Sequence, residues 1–288
     1  MDELSRPKTH VQWLLGNHCN YQCTYCHEMF RMGDKPFPNQ ETIKNVCLDI
    51  IHHYDDLSRD VVFEFIGGEP TLAGDISEVG KRLHNHPVNF VLKTNGSADL
   101  DYWKRSRRYI SHVVISLHKQ FVDLDHIEEV IKILQDESLG NPTHVEVLIP
   151  TTSIDESWSW ALETRTRFRK KFDLGELQLL YSNFGRGSDQ YYPYTDSQWA
   201  EYFRLSGKAR PRERPVFKDV HNFKGQRCYA GIDTLTIDNS GNVWRSWCKQ
   251  EGKIGNIYST VEWPREPIVC ALEKCSNGFD RIARKENI

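Results

Sequence analysis

The sequence runs to 288 residues, 39% hydrophobic and 27% charged, which supplies core material for one large or two ordinary domains and excludes a disordered chain. Lys and Arg number 37 against 40 Asp and Glu, a formal charge of −3 with no basic stripe, so nucleic acid is not an expected partner. No apolar stretch approaches the roughly 20 residues that cross a bilayer, and the N-terminus MDELSRPKTH lacks the basic-then-apolar order of a signal peptide. The expectation is a cytoplasmic protein with no membrane partner, whose eight cysteines are metal ligands or reactive thiols rather than disulfides.

In chain order, the first strand-like run is HVQWLLG (10–16), and it leads into HCNYQCTYCHEMF, with cysteines at 19, 23 and 26. The segment NQETIKNVCLDIIHHY then has helical spacing, with Ile43, Val46, Cys47, Ile50 and Ile51 on one apolar face and Asn39 as a cap. Cys47 reads as a small core residue on that face. A second strand, VVFEFIGG (61–68), ends in Gly67-Gly68-Glu69-Pro70, and a third, VNFVLKTNG (88–96), carries Thr94 and Asn95 at its end. The fourth, HVVISLH (112–118), ends in Ser116 and His118. It is followed by the helical DLDHIEEVIKILQDE, capped by Asp123 or Asp125. HVEVLIP (144–150) and ELQLLYS (176–182) complete six strands, and strand–helix repetition predicts right-handed crossovers, a parallel sheet and a ligand site at the carboxyl ends of the strands.

The rhythm changes near residue 185. FGRGSDQYYPYTD is rich in glycine and aromatics, SGKARPRERPVFKD is a basic, proline-broken linker, and TLTIDNSGNVWRSW reads as a hairpin turning at DNSGN. A second cysteine group, Cys228, Cys248, Cys270 and Cys275, falls in this final part. The runs KRSRR, RTRFRKK and RKENI read as solvated faces, and Trp158 and Trp160 as packing residues.

Three thiols spaced C-x3-C-x2-C can converge on one soft metal centre: an iron-sulfur cluster with one open iron, or zinc if His18 or His27 supplies a fourth ligand. Gly67-Gly68-Glu69-Pro70 suits close backbone approach to a ligand and a carboxylate that pairs an ammonium, and by itself it is also an ordinary turn. Thr94, Asn95 and Ser116 have a second reading as strand-end caps, and His118 as either a general acid–base or a hydrogen-bonded structural histidine.

Taken in order, CNYQCTYC, GGEP, KTNG and ISLH resemble the radical S-adenosylmethionine (radical SAM) superfamily over residues 10–182. That resemblance implies an α/β fold, a partial (β/α)6 TIM-like barrel. It implies a 4Fe-4S cluster on Cys19, Cys23 and Cys26, with S-adenosylmethionine (SAM) on its open iron. Tyr25 then lies beside the adenine, Gly67, Gly68, Glu69 and Pro70 meet the methionine ammonium, and Thr94, Asn95 and Ser116 meet ribose and carboxylate. VLIPTTSIDE matches the adenine-contacting pattern only loosely.

The stretch from CYAGIDTLTIDNSGNVWRSWCKQ onward resembles the Twitch module, a shortened relative of the SPASM domain. It implies a second, auxiliary 4Fe-4S cluster on Cys228, Cys248, Cys270 and Cys275, four thiols that also suit zinc. The expected organisation is a barrel over 1–185, a bridging segment over 186–220, and a cysteine-rich α+β module over 221–288 built from a hairpin and a short helix.

The activity implied by resemblance is reductive cleavage of SAM to a 5'-deoxyadenosyl radical and abstraction of a substrate hydrogen, with electrons from a flavodoxin- or ferredoxin-type donor. An auxiliary cluster that accepts the second electron makes the outcome a net oxidation. With few residues before the first strand and few after Cys275, no peptide-recognition domain is expected, which favours a small polar sugar- or cyclitol-like substrate. Peptide modification (a cross-link, thioether or epimerisation) and a non-catalytic zinc-binding interaction protein are the alternatives.

Overall fold

A computed structural model describes residues 6–86, 88–182, 190–208, 221–275 and 277–288. The glycine-rich start of the bridging segment and most of its basic linker therefore lie outside the described residues.

Each of the six apolar runs forms a strand: β1 (Lys8–Leu14), β2 (Asp60–Ile66), β3 (Val88–Thr94), β4 (His112–Ser116), β5 (His144–Thr151) and β6 (Glu176–Leu179). They pair in sequence order and all in parallel. A helix follows every strand: α1 (Gln40–Asp56), α2 (Ile76–Leu83), α3 (Leu100–Ser106), α4 (Leu124–Gln135), α5 (Asp155–Phe172) and α6 (Asp196–Ser206). Asn39 caps α1 through Thr42 N, and Asp123, not Asp125, caps α4 by accepting from Asp125 N and His126 N.

Strand side chains alternate between two faces. Val11, Trp13, Phe63, Phe65, Phe90, Leu92, Val113, Ile115, Val145, Val147 and Ile149 share one face. They join Ile43, Cys47, Ile50, Val79, Trp103, Val130 and Phe168 of the helices in a single core. Cys47 is fully buried there, as its position on the apolar face of α1 leads one to expect. The opposite phase of the same strands carries Gln12, Glu64, Lys93, His112 and Glu146 among apolar residues such as Val62 and Val114, so the helices cover one face and the other is mixed in polarity.

Among the described residues the sheet does not close. Its order is β10-β9-β8-β1-β2-β3-β4-β5-β6, where β8 (Thr234–Ile237), β9 (Asn242–Trp244) and β10 (Lys253–Asn256) extend the β1 edge. The hairpin expected at DNSGN joins β8 to β9; Asp238 accepts from Ser240 N and Asn242 N, and Gly241 takes φ +76° at the turn. β8 runs parallel to β1, from His10↔Thr234 to Trp13↔Ile237, and puts Leu235 and Ile237 into the barrel core.

An ion cluster centred on the buried Asp233 fixes this junction. Arg59 and Arg284 both contact Asp233, at 2.8 and 2.9 Å, and Arg59 Nε donates to Thr9 Oγ1.

A second, three-stranded sheet, β11-β7-β12, is formed by β7 (Arg227–Cys228), β11 (Ile268–Val269) and β12 (Lys285–Glu286), over a small core of Cys228, Ala230, Ile268, Cys270 and Ala283. Among the described residues no helix stands in this module where a short one was expected. The backbone groups of Cys270 and Cys275 pair instead with Gly225, Gln226 and His221.

Candidate active site

The loop leaving β1 carries Cys19, Cys23 and Cys26, of which Cys23 is buried and the other two half-buried. Three neighbouring strand ends hold it in place. At the end of β2, Gly68 N donates to Gly16 O (3.0 Å) and Glu69 N to His18 O (2.8 Å). A Cβ on Gly67 would sit 2.5 Å from Gly16 O, and one on Gly68 only 1.9 Å from His18 O. The two glycines are therefore required by the backbone of the cysteine loop itself, a cause that turn composition does not reveal.

Glu69 is 1% exposed and accepts four hydrogen bonds: from Thr71 N and Oγ1 (3.1 and 2.8 Å), Thr94 Oγ1 (2.6 Å) and Asn95 N (2.7 Å). Burial raises its pKa while these donors pull it down. The carboxylate thus ties the end of β2 to the end of β3, and Pro70 opens the single 3-10 turn Pro70–Ala73 that it caps. Replacing it by Gln leaves one donor facing an amide NH2, and Glu69→Gln is expected to cost about 1–3 kcal/mol. Thermal unfolding measures this; an unshifted midpoint would contradict the four-donor account.

At the end of β3, Asn95 Nδ2 donates to Asn20 Oδ1 (2.9 Å) and reaches Cys19 Sγ (4.0 Å), which also accepts from Tyr21 N (3.3 Å). Beyond β4, Gln120 exchanges two hydrogen bonds of 2.9 Å with the backbone and hydroxyl of Thr24. Tyr25 OH lies 2.8 Å from His118 Nδ1, with the rings stacked, and Tyr21 packs between His118 and Phe121. Burial lowers the His118 pKa to about 4, so at neutral pH the imidazole is uncharged and acts as the hydrogen-bond partner of Tyr25. Ser116 closes β4, half-buried, one strand over from Thr94.

The residues singled out from the sequence at the first four strand ends are therefore brought to one end of the sheet. Asn20, Thr71 and Gln120, which hold them together, were not singled out; Asn20 and Gln120 bond partners 75 and 96 positions away, and Thr71 bonds Glu69 only two positions back.

Burial raises the pKa of all three thiols, Cys19 and Cys23 to about 11, so without a cation the sulfurs stay protonated, and a metal bound by them must displace those protons. Of the candidate fourth ligands, His27 accepts through Nδ1 from Met29 N, and the His18 ring lies against Phe37. Beside Tyr25 opens a cavity of about 440 Å³, walled by Thr24, Lys119, Gln120, Pro150, Thr152 and Tyr192 among others.

The C-terminal thiols lie close enough to influence one another electrostatically. Burial raises the pKa values of Cys228, Cys248 and Cys275, and neighbouring thiols raise them further, with Cys248 reaching about 11. Asp280, buried beside them, accepts from Ser246 Oγ (2.7 Å) and Trp247 N (2.8 Å), and Trp247 Nε1 donates to Gln12 on the face of β1 away from the helices. No pattern in the sequence had singled out Asp280.

The chain thus combines a parallel α/β sheet with a three-cysteine loop seated on a Gly-Gly-Glu-Pro turn, and comparison with known proteins shows what it is similar to. No family model matches the chain. It is 27% identical over 143 residues to a probable GTP 3',8-cyclase of Thermococcus kodakarensis, covering 47% of this chain and 45% of that protein. It is 27% identical over 109 residues to an S-adenosylmethionine-dependent nucleotide dehydratase of Flammeovirga pacifica, covering 37% of each. The chain spans about half the length of the cyclases it matches. Its fold is similar to that of anSMEcpe with bound AdoMet, with a TM-score of 0.57 at 16% identity over 88% of this chain and 76% of that one.

Proposed function

We propose that this chain is a radical SAM enzyme in which Cys19, Cys23 and Cys26 hold a 4Fe-4S cluster and SAM lies along Gly67–Pro70, Thr94, Asn95, Ser116 and Tyr25. The interlock of the cysteine loop with Gly68, Glu69 and Asn95 carries this reading, because it fixes three soft ligands at the strand ends where a parallel sheet binds its ligands. When bound, the cluster and SAM supply hydrogen abstraction from an unactivated carbon. The protein's own part is to orient and to exclude water. Glu69 and Asn95 hold the loop, Tyr25 is oriented by the neutral His118, and the 440 Å³ cavity offers Thr24, Thr152 and the Lys119–Glu156 ion pair to a polar substrate.

The named activities of these relatives concern nucleotides, which favours a nucleotide-like substrate over the sugar, cyclitol or peptide expected from the sequence. Cys228, Cys248, Cys270 and Cys275 are proposed to hold an auxiliary 4Fe-4S cluster that accepts an electron, with a flavodoxin- or ferredoxin-type protein as donor. The mutual influence of these thiols supports that reading.

Anaerobic reconstitution tests the ligand sets. About eight irons per chain are expected from two four-iron clusters, falling to about four when Cys19, Cys23 and Cys26 are all changed to Ala. Tightly held zinc with negligible iron would overturn the proposal in favour of a zinc-binding protein.

A further inference from the structure

The face of the sheet away from the helices carries a second set of ligating side chains that the cysteine loop does not use. β4 and β5 run parallel with His112 directly opposite His144, and Glu146, two residues further along β5, returns to the same face. The two imidazole rings lie 4.6 Å apart between centroids. Glu146 Oε1 is 3.2 Å from His112 Nε2 and 3.8 Å from His144 Nε2, and the three ligating atoms all fall within 4.8 Å of one another. Among the described residues this is the one group of three or more His, Cys, Asp or Glu side chains with that spacing.

One carboxylate oxygen facing two imidazole nitrogens is held either by hydrogen bonds or by a shared cation. The His112 nitrogen is buried and, despite its 3.2 Å approach, makes no aligned hydrogen bond. The side chains of His144 and Glu146 are 68% and 49% exposed, so an ion can enter from solvent and water can complete its shell. The nearest cationic side chain on the neighbouring strand, Lys93, is paired with Glu64 at 2.7 Å.

We propose that His112, His144 and Glu146 form a binding site for a divalent transition cation of the zinc, cobalt or nickel type. Two imidazoles and one carboxylate suit these ions, whereas magnesium and calcium prefer oxygen alone. The three residues lie at the amino ends of β4 and β5, about 13 Å along the strand from the end that meets the cysteine loop. A cation there fastens β4 to β5 across a pair of facing residues, and this site uses none of the cysteines.

The test is calorimetric titration of the cluster-loaded full chain with Ni²⁺ under anaerobic conditions, so that the thiols are already occupied. The expected result is one saturable equivalent that excess Mg²⁺ does not displace. In His144→Ala and in Glu146→Gln the affinity should fall about tenfold or more, since even outer-shell partners of metal ligands typically contribute that much. Both substituted side chains are largely solvent-exposed, so an unchanged circular dichroism spectrum and iron content should accompany the loss. Absence of saturable binding in the wild type, or equal affinity in wild type and both variants, would overturn the proposal. So would Ni²⁺ binding that survives both variants but disappears when the cysteines are changed.

Discussion

Gly68→Ala is expected to strip the barrel of its iron without touching a ligand. The added methyl would lie 1.9 Å from His18 O, 2.5 Å from His18 C and 2.9 Å from Asn17 C, all backbone atoms of the loop that leads into Cys19. Backbone cannot swing aside as a flexible side chain does, so the loop must leave the turn. That breaks the Gly68–Gly16 and Glu69–His18 hydrogen bonds and shifts Cys19 away from Asn95. Overpacking of this kind costs about 3 kcal/mol at the upper end of its usual range. For a chain of this size that is a drop in Tm of roughly 6 °C or more. Iron per reconstituted chain should fall by about half, to the share held by four C-terminal thiols. A Gly68→Ala protein with the iron content and Tm of the wild type would mean that the turn does not seat the loop.

Cys275→Ala is expected to do the opposite, removing the C-terminal iron and sparing the barrel. Cys275 is buried and joined by backbone hydrogen bonds to His221, whereas the barrel edge is anchored by the Arg59–Asp233 pair and the β1–β8 ladder. Loss of one ligand from four should release the auxiliary metal and its share of folding free energy within the module. The variant should therefore retain about four irons and still convert SAM to 5'-deoxyadenosine. If it loses all iron, or loses SAM cleavage while still folded, the two thiol sets do not act as separate sites.

Much of this arrangement is legible in the sequence because its causes are local. Alternating or continuous apolar runs mark six strands, Asn39 and Asp123 mark helix starts through bonds to residues two and three positions on, and Asp238 with Gly241 marks a hairpin. The cysteine spacing and the polar strand ends point to the same end of the sheet in the same way. What stayed hidden depends on pairs far apart in the chain. The tight fit of Gly68 against His18, the convergence of Thr94 and Asn95 on Glu69, and the parallel docking of β8 on β1 have no signature within either partner's own segment. The hairpin therefore looked like part of a separate module, although its residues enter the barrel core. His118 was legible as a strand-end histidine, but its burial against Tyr25, which sets its charge, was not. His112 and Glu146 escaped notice for a related reason: on one strand each looks like an ordinary polar position, and only the β4–β5 register brings them together.

The central claim is that the loop carrying Cys19, Cys23 and Cys26 supports reductive SAM cleavage, and its most direct test is the product. Reconstituted protein, reduced with dithionite and supplied with SAM, should form 5'-deoxyadenosine even without its own substrate, and the same protein with all three cysteines changed to Ala should form none. Failure of the iron-loaded wild type to yield 5'-deoxyadenosine, or equal yield from the triple variant, would contradict the account.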